Sequence, residues 1–181
     1  MTPELAVVSD PEFVGEIVRR EMGELRAMRS RCQSLENSLS YVRRLIQGRV
    51  DIVGGELQRR HDGGDAGNTS ELIGRLPDIL ADGSRAGGGP GSVRPPQTLE
   101  PDPAVTEQLE AKLEQIIAGE DLGNVSALTV ESLQKSLEAL KTFEIEVSDH
   151  RRILHNVIDT VQAEVTRRYT TGEATVDSLL Q

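Results

Sequence analysis

Apolar residues recur at alternating steps of three and four from Leu25 to Leu57, a spacing that commits this stretch to a helix packed along one edge. The series is Leu25, Met28, Cys32, Leu35, Leu39, Val42, Ile46, Val50, Val53 and Leu57. Apart from one slip it is the seam of a coiled coil, which needs a partner of the same kind. A second series supplies one, reading Leu133, Leu137, Leu140, Phe143 and Val147, then Leu154, Ile158, Val161 and Val165. Aromatic residues make up 2% of the chain and Trp is absent, so the largest contributors to burial are missing. Aliphatic side chains must hold the fold, which suits long narrow helical seams. No stretch alternates in the manner of a strand.

These patterns predict an all-α fold: an antiparallel two-helix coiled coil with short accessory helices and a disordered linker. Residues 1–9 read as a flexible N-terminus. Residues 10–62 read as the first long helix, with Ser9 or Asp10 followed by Pro11 as its start signal. Gly48, Gly54 and Gly55 weaken it by about 1 kcal/mol each relative to Ala. Residues 63–128 hold short helices at 69–81 and 105–118 around a Gly/Pro-rich linker at 82–103. Residues 129–170 read as the second long helix, opened by Thr129 and Ser132, and 171–181 as a flexible tail.

Charge and motif content narrow the function. The formal net charge is −10, which argues against direct DNA binding. The segment from Arg19 to Arg60 nevertheless holds ten Arg against five acidic residues. The single cysteine excludes an intrachain disulfide, and the three histidines make no zinc pattern. The Gly-rich GGGPGS run lacks the Lys of a phosphate-binding loop. No metal, cofactor or enzymatic activity is expected. The first nine residues lack a basic flank and a long apolar run, and no stretch reaches the roughly 20 apolar residues that span a bilayer. A cytoplasmic, membrane-free protein is expected.

The most specific feature is an internal repeat. Residues 35–60 and 143–168 align without a gap at an offset of 108, with identities at Glu36/Glu144, Ser40/Ser148, Arg43/Arg151, Arg44/Arg152, Asp51/Asp159, Val53/Val161, Glu56/Glu164, Arg59/Arg167 and Arg60/Arg168. Any two helices of this kind share seam residues. They need not share Glu36, Ser40, Arg43, Gln47 and Asp51, matched by Glu144, Ser148, Arg151, His155 and Asp159. Steps of 4, 3, 4 and 4 put each set on one stripe beside the seam, about 22 Å long. Carboxylates accept, an Arg fork donates twice, and hydroxyl and amide groups do both. Guanine fits that set: O6 and N7 accept from Arg, and its N1–H and N2–H2 edge donates to a carboxylate. Phosphates suit the remaining arginines and hydroxyls. A ligand-free adaptor, with Glu–Arg ion pairs along the seam, is the alternative reading.

The twice-repeated E-x3-S-x2-R-x3-Q/H-x3-D pattern resembles that of the RsiG family of actinobacterial anti-sigma factors. Nine of the ten motif positions match, and His155 stands where the family carries Gln. His also donates and accepts, but it ties binding to pH. The resemblance implies that the ten motif residues bind cyclic di-GMP, taken up as a dimer along the paired helices. It further implies that the ligand completes a surface for a sporulation-type sigma factor of the WhiG class. Sequestration would then follow a rise in the second messenger, and release its fall. The acidic remainder of the chain agrees with a basic partner.

Overall fold

The computed structural model describes residues 2–63 and 101–174, and every regular element among them is helical. Helix α1 spans Pro3–Ser9. It is followed by two 3-10 turns, Pro11–Val14 and Ile17–Arg19, and by the long helix α2, Met22–His61. Helix α3 spans Pro103–Ile116 and α4 spans Gly119–Gly123. A 3-10 turn at Val125–Ala127 leads into α5, Val130–Thr171.

The described residues form two compact units. One comprises 2–41, 101–108 and 147–174, and the other 42–63 and 109–146. In the first unit the long helices run antiparallel: Arg26 donates to Tyr169, Arg29 to Gln162 and Arg151 to Glu36. Its core is built from Leu25, Cys32, Leu35 and Leu39 of α2 and Leu154, Val161 and Val165 of α5. In the second unit Val42, Ile46 and Val53 are buried, as are Leu133, Leu140 and Phe143. Leu109 and Leu113 of α3 are buried there too, and Lys112 lies over the Phe143 ring and pairs with Glu146. A buried Leu or Val contributes about 1.5–3 kcal/mol. Burial at each turn therefore outweighs the helix cost of Gly48 and Gly54, whose missing Cβ atoms would point into open space. Cys32 packs as a small apolar residue, and burial pushes its thiol up to about 11.

The elements depart from the sequence expectation at the N-terminus. Within the stretch expected to be flexible, Pro3–Ser9 is helical: Thr2 accepts from the Leu5 amide and caps α1, which buries Leu5 and Val8. The first long helix begins at Met22 rather than at 10. Asp10 does cap, accepting from the Glu12 amide at 2.9 Å, but it serves only a 3-10 turn. Glu16 then adopts a left-handed φ of 54°, which no helix continues through. A capping residue followed by Pro marks a helix start but carries no information about length. Downstream, α3 begins two residues before the expected 105, and α5 matches the expected start, with Thr129 accepting from the Ser132 amide. The short helix expected at 69–81 and nearly all of the linker expected at 82–103 lie outside the described residues, as does the tail beyond 174.

The repeat reaches further than the aligned sequence. The 3-10 turns Ile17–Arg19 and Val125–Ala127 start at the same offset of 108, and so do the long helices at Met22 and Val130. Between residues 17 and 34 the two copies share almost no side chains, Leu25/Leu133 being the exception, so sequence comparison passes over this part.

An arginine latch closes each copy. Glu56 is fully buried and receives Arg59 and Arg60. Arg60 also donates to the carbonyls of Val125, Ser126 and Leu128. In the other unit Glu164 receives Arg167 and Arg168, and Arg168 donates to the carbonyls of Ile17, Val18 and Arg20, which are the equivalent residues. Each latch thus satisfies the carbonyls left open where a 3-10 turn meets a long helix. Hydrogen bonds from Arg167 and Arg168 hold the Glu164 carboxyl down at about 2, and the Arg59 bond, aided by Arg60, lowers that of Glu56. A lowered carboxyl contributes stability that is complete above its unfolded value and is lost as pH falls through the folded one. Melting temperature should therefore decline as pH drops from the ordinary carboxyl value of 4.5 towards 2. In Glu164→Gln that decline should be shallower, and an unchanged profile would remove this latch from the acid response.

Candidate functional site

The ten motif residues divide between the two units. The first unit holds Glu36, Ser40, Ser148, Arg151, His155 and Asp159. The second holds Arg43, Gln47, Asp51 and Glu144. Each unit therefore carries residues from both copies of the motif.

In the first unit one carboxylate oxygen gathers the donors. Glu36 Oε1 accepts from Ser40 Oγ at 2.7 Å and from Arg151 Nη2 at 2.8 Å and Nε at 3.1 Å. His155 Nε2 stands 3.4 Å from the same oxygen. Helical spacing explains the Ser40 contact, since residues four apart are neighbours on one face. The antiparallel run of α5 brings Arg151 and His155, also four apart, to the same level. Burial alone would push the Glu36 carboxyl up. The Ser40 and Arg151 hydrogen bonds, with the charges of Arg151 and His155, more than offset it and hold the carboxyl below its ordinary value.

In the second unit Arg43 Nε donates to Glu144 Oε1 at 2.7 Å. This pair is the repeat equivalent of Glu36 and Arg151: the first motif position of one copy meets the third position of the other. The side chains of Glu36 and Arg151 retain 15% and 25% exposure, and those of Glu144 and Arg43 retain 24% and 33%. Both pairs are thus partly exposed to solvent.

The outer motif positions differ between the copies. Gln47 and Asp51 are half-buried, whereas His155 and Asp159 are exposed. Among the described residues Gln47 and Asp159 make no side-chain hydrogen bond, so an acceptor–donor amide and a carboxylate stand ready beside the paired groups. No group of three His, Cys, Asp or Glu among the described residues gathers to hold a metal ion. No helix among them is long and apolar enough to cross a membrane. Each unit offers polar recognition: a carboxylate and a guanidinium, flanked by hydroxyl and imidazole groups in the first unit and by an amide in the second.

Sequence reasoning places the pairing partners on facing stripes but does not single out Arg29 and Arg26, which extend the polar edge of the first unit. Neither residue belongs to the repeat, since Leu137 and Gln134 stand at the equivalent positions, so comparing the copies gives no signal for them.

No curated protein matches the chain. The RsiG-like family matches residues 11–80 and 119–181, segments that begin 108 residues apart, as the two copies of the repeat do. With most of its length matched in this way, the chain belongs to the RsiG-like family.

Proposed function

We propose that this chain is an anti-sigma factor that binds cyclic di-GMP through its two motif copies and, so loaded, sequesters a WhiG-type sigma factor. The observation that carries the reading is the reciprocal pairing of Glu36 with Arg151 and of Glu144 with Arg43. Each unit offers a two-fold symmetric nucleotide one carboxylate and one guanidinium. The carboxylates suit the N1–H and N2–H2 edge of guanine, and the guanidinium groups suit O6, N7 or a phosphate. Two bound nucleotides would engage the carboxylates and arginines of both copies. Membership of the RsiG-like family supports the anti-sigma role.

The alternative is a ligand-free helical adaptor in which the same Glu–Arg pairs serve only the fold. Such a seam uses Glu36, Arg43, Glu144 and Arg151. It assigns nothing to Gln47 or Asp159, which continue the stripes at the same spacing. Their presence favours a ligand.

Calorimetric titration of the full chain with cyclic di-GMP tests the reading. Micromolar or tighter binding of at least two nucleotides per chain is the expected result. Absence of heat both alone and with the sigma factor present would leave the adaptor as the better account.

A further inference from the structure

The polar edge of the first unit does not stop at the motif. Arg29 precedes Glu36 by seven residues, two helical turns or about 10 Å, which returns it to the same stripe of α2. Gln162 follows His155 by seven on α5, and Arg29 Nη1 donates to its Oε1. One step further out, Arg26 donates to the Tyr169 hydroxyl. Arg29 therefore forms the next rung beyond Glu36 and Arg151.

Like Arg26, which meets the Tyr169 hydroxyl, Arg29 has no carboxylate partner among the described residues. In the same unit Arg151 is neutralised by Glu36, Arg167 and Arg168 by Glu164, Arg152 by Asp149 and Arg19 by Glu16. Arg29 meets only a neutral amide oxygen. Its Nε is buried and has no hydrogen-bond partner, although a buried donor left unmade costs about 1–3 kcal/mol. A half-buried guanidinium with no carboxylate and an idle Nε is a site lacking an anionic oxygen. The repeat equivalents of Arg29 and Gln162 are Leu137 and Gly54, so the second unit has no such rung.

Resting on the cyclic di-GMP reading, we propose that Arg29 is a further ligand-binding residue, taking a phosphodiester oxygen of the nucleotide held at Glu36, Ser40 and Arg151. A phosphodiester presents two non-bridging oxygens carrying one charge, which suits the exposed Nη side of the Arg29 guanidinium. The distance from Glu36 lies within the span of a dinucleotide whose guanine edge is held at the motif. The rung adds a cation to the first unit that the second unit lacks. It offsets there the replacement of Gln by His155.

The test is calorimetry with cyclic di-GMP on the full chain and on Arg29→Gln and Arg29→Lys, alongside thermal melts. Arg29→Gln should weaken binding about tenfold, the loss of one charge-assisted contact, and leave the melt within a degree or two. Arg29→Lys should recover part of the loss, since it keeps the charge without the fork. Equal affinity in all three proteins would overturn the role of Arg29 while leaving the motif reading intact. A drop in affinity matched by a large fall in melting temperature, with no rescue by Lys, would make Arg29 a structural residue and overturn it too. Absence of binding by the unsubstituted chain, with or without the sigma factor, would overturn both readings.

Discussion

Arg43→Ala is expected to lower cyclic di-GMP affinity by about 100-fold or more while the far-ultraviolet circular dichroism stays unchanged. Arg43 Nε donates to Glu144 at 2.7 Å, which orients the guanidinium, and the side chain stays one-third exposed. Hydrogen bonds to charged groups contribute about 1.5–3 kcal/mol each, and each 1.4 kcal/mol is a factor of ten. Losing two such bonds to a guanine edge or a phosphate accounts for the magnitude. The fold has little to lose, because a part-exposed ion pair stabilises by about 1 kcal/mol or less. Titration and a dichroism spectrum on one sample settle the point. Intact affinity would remove Arg43 from the site. Collapse of helicity with affinity would instead favour the ion-pair account of the motif.

The largest effect on stability should come from Glu56→Gln. Its carboxylate is fully buried and neutralises Arg59 and Arg60, themselves 4% and 11% exposed. Removing the acid leaves two buried cations side by side, and breaking a buried pair in this way costs about 3–5 kcal/mol. For a chain of this size that is a fall of roughly 10 °C in melting temperature. The latch to Val125, Ser126 and Leu128 loosens with it, because Glu56 orients Arg60. Glu16→Gln is the contrasting case. Its pair with Arg19 is exposed on both sides, and the melt should barely move. Comparable melts for the two variants would contradict the assignment of the latch.

Both expectations trace to features that were legible in the sequence to different degrees. The seam residues Leu35, Leu39, Val42, Ile46 and Val53 follow from spacing alone, and all are buried. Val50 and Leu57, on the same register, are only half-buried, since the stripe drifts around the helix and the slip at Val50 shifts the buried edge. The repeat located Glu36, Arg43, Glu144 and Arg151, and antiparallel packing within each unit pairs them across copies. The latch was half-visible. Glu56, Arg59 and Arg60 recur as Glu164, Arg167 and Arg168, but the carbonyls they serve belong to turns far away in sequence. Backbone acceptors leave no trace in side-chain identity. The break at Glu16 was hidden for a related reason, because a left-handed φ at a non-glycine residue is set by the packed fold and not by local preference. Arg29 was read as one charge among ten on an arginine-rich segment. What distinguishes it is the buried, unpartnered Nε, and that exists only once Gln162 is packed against it.

The central claim is that nucleotide loading of the repeated motif creates the surface that holds the sigma factor. Calorimetric titration of a WhiG-type sigma factor into the full chain, with saturating cyclic di-GMP and without it, tests this directly. Tight one-to-one binding with the nucleotide and at least tenfold weaker binding without it is the expected result. Equal affinity in the two titrations, or no binding in either, would contradict the account.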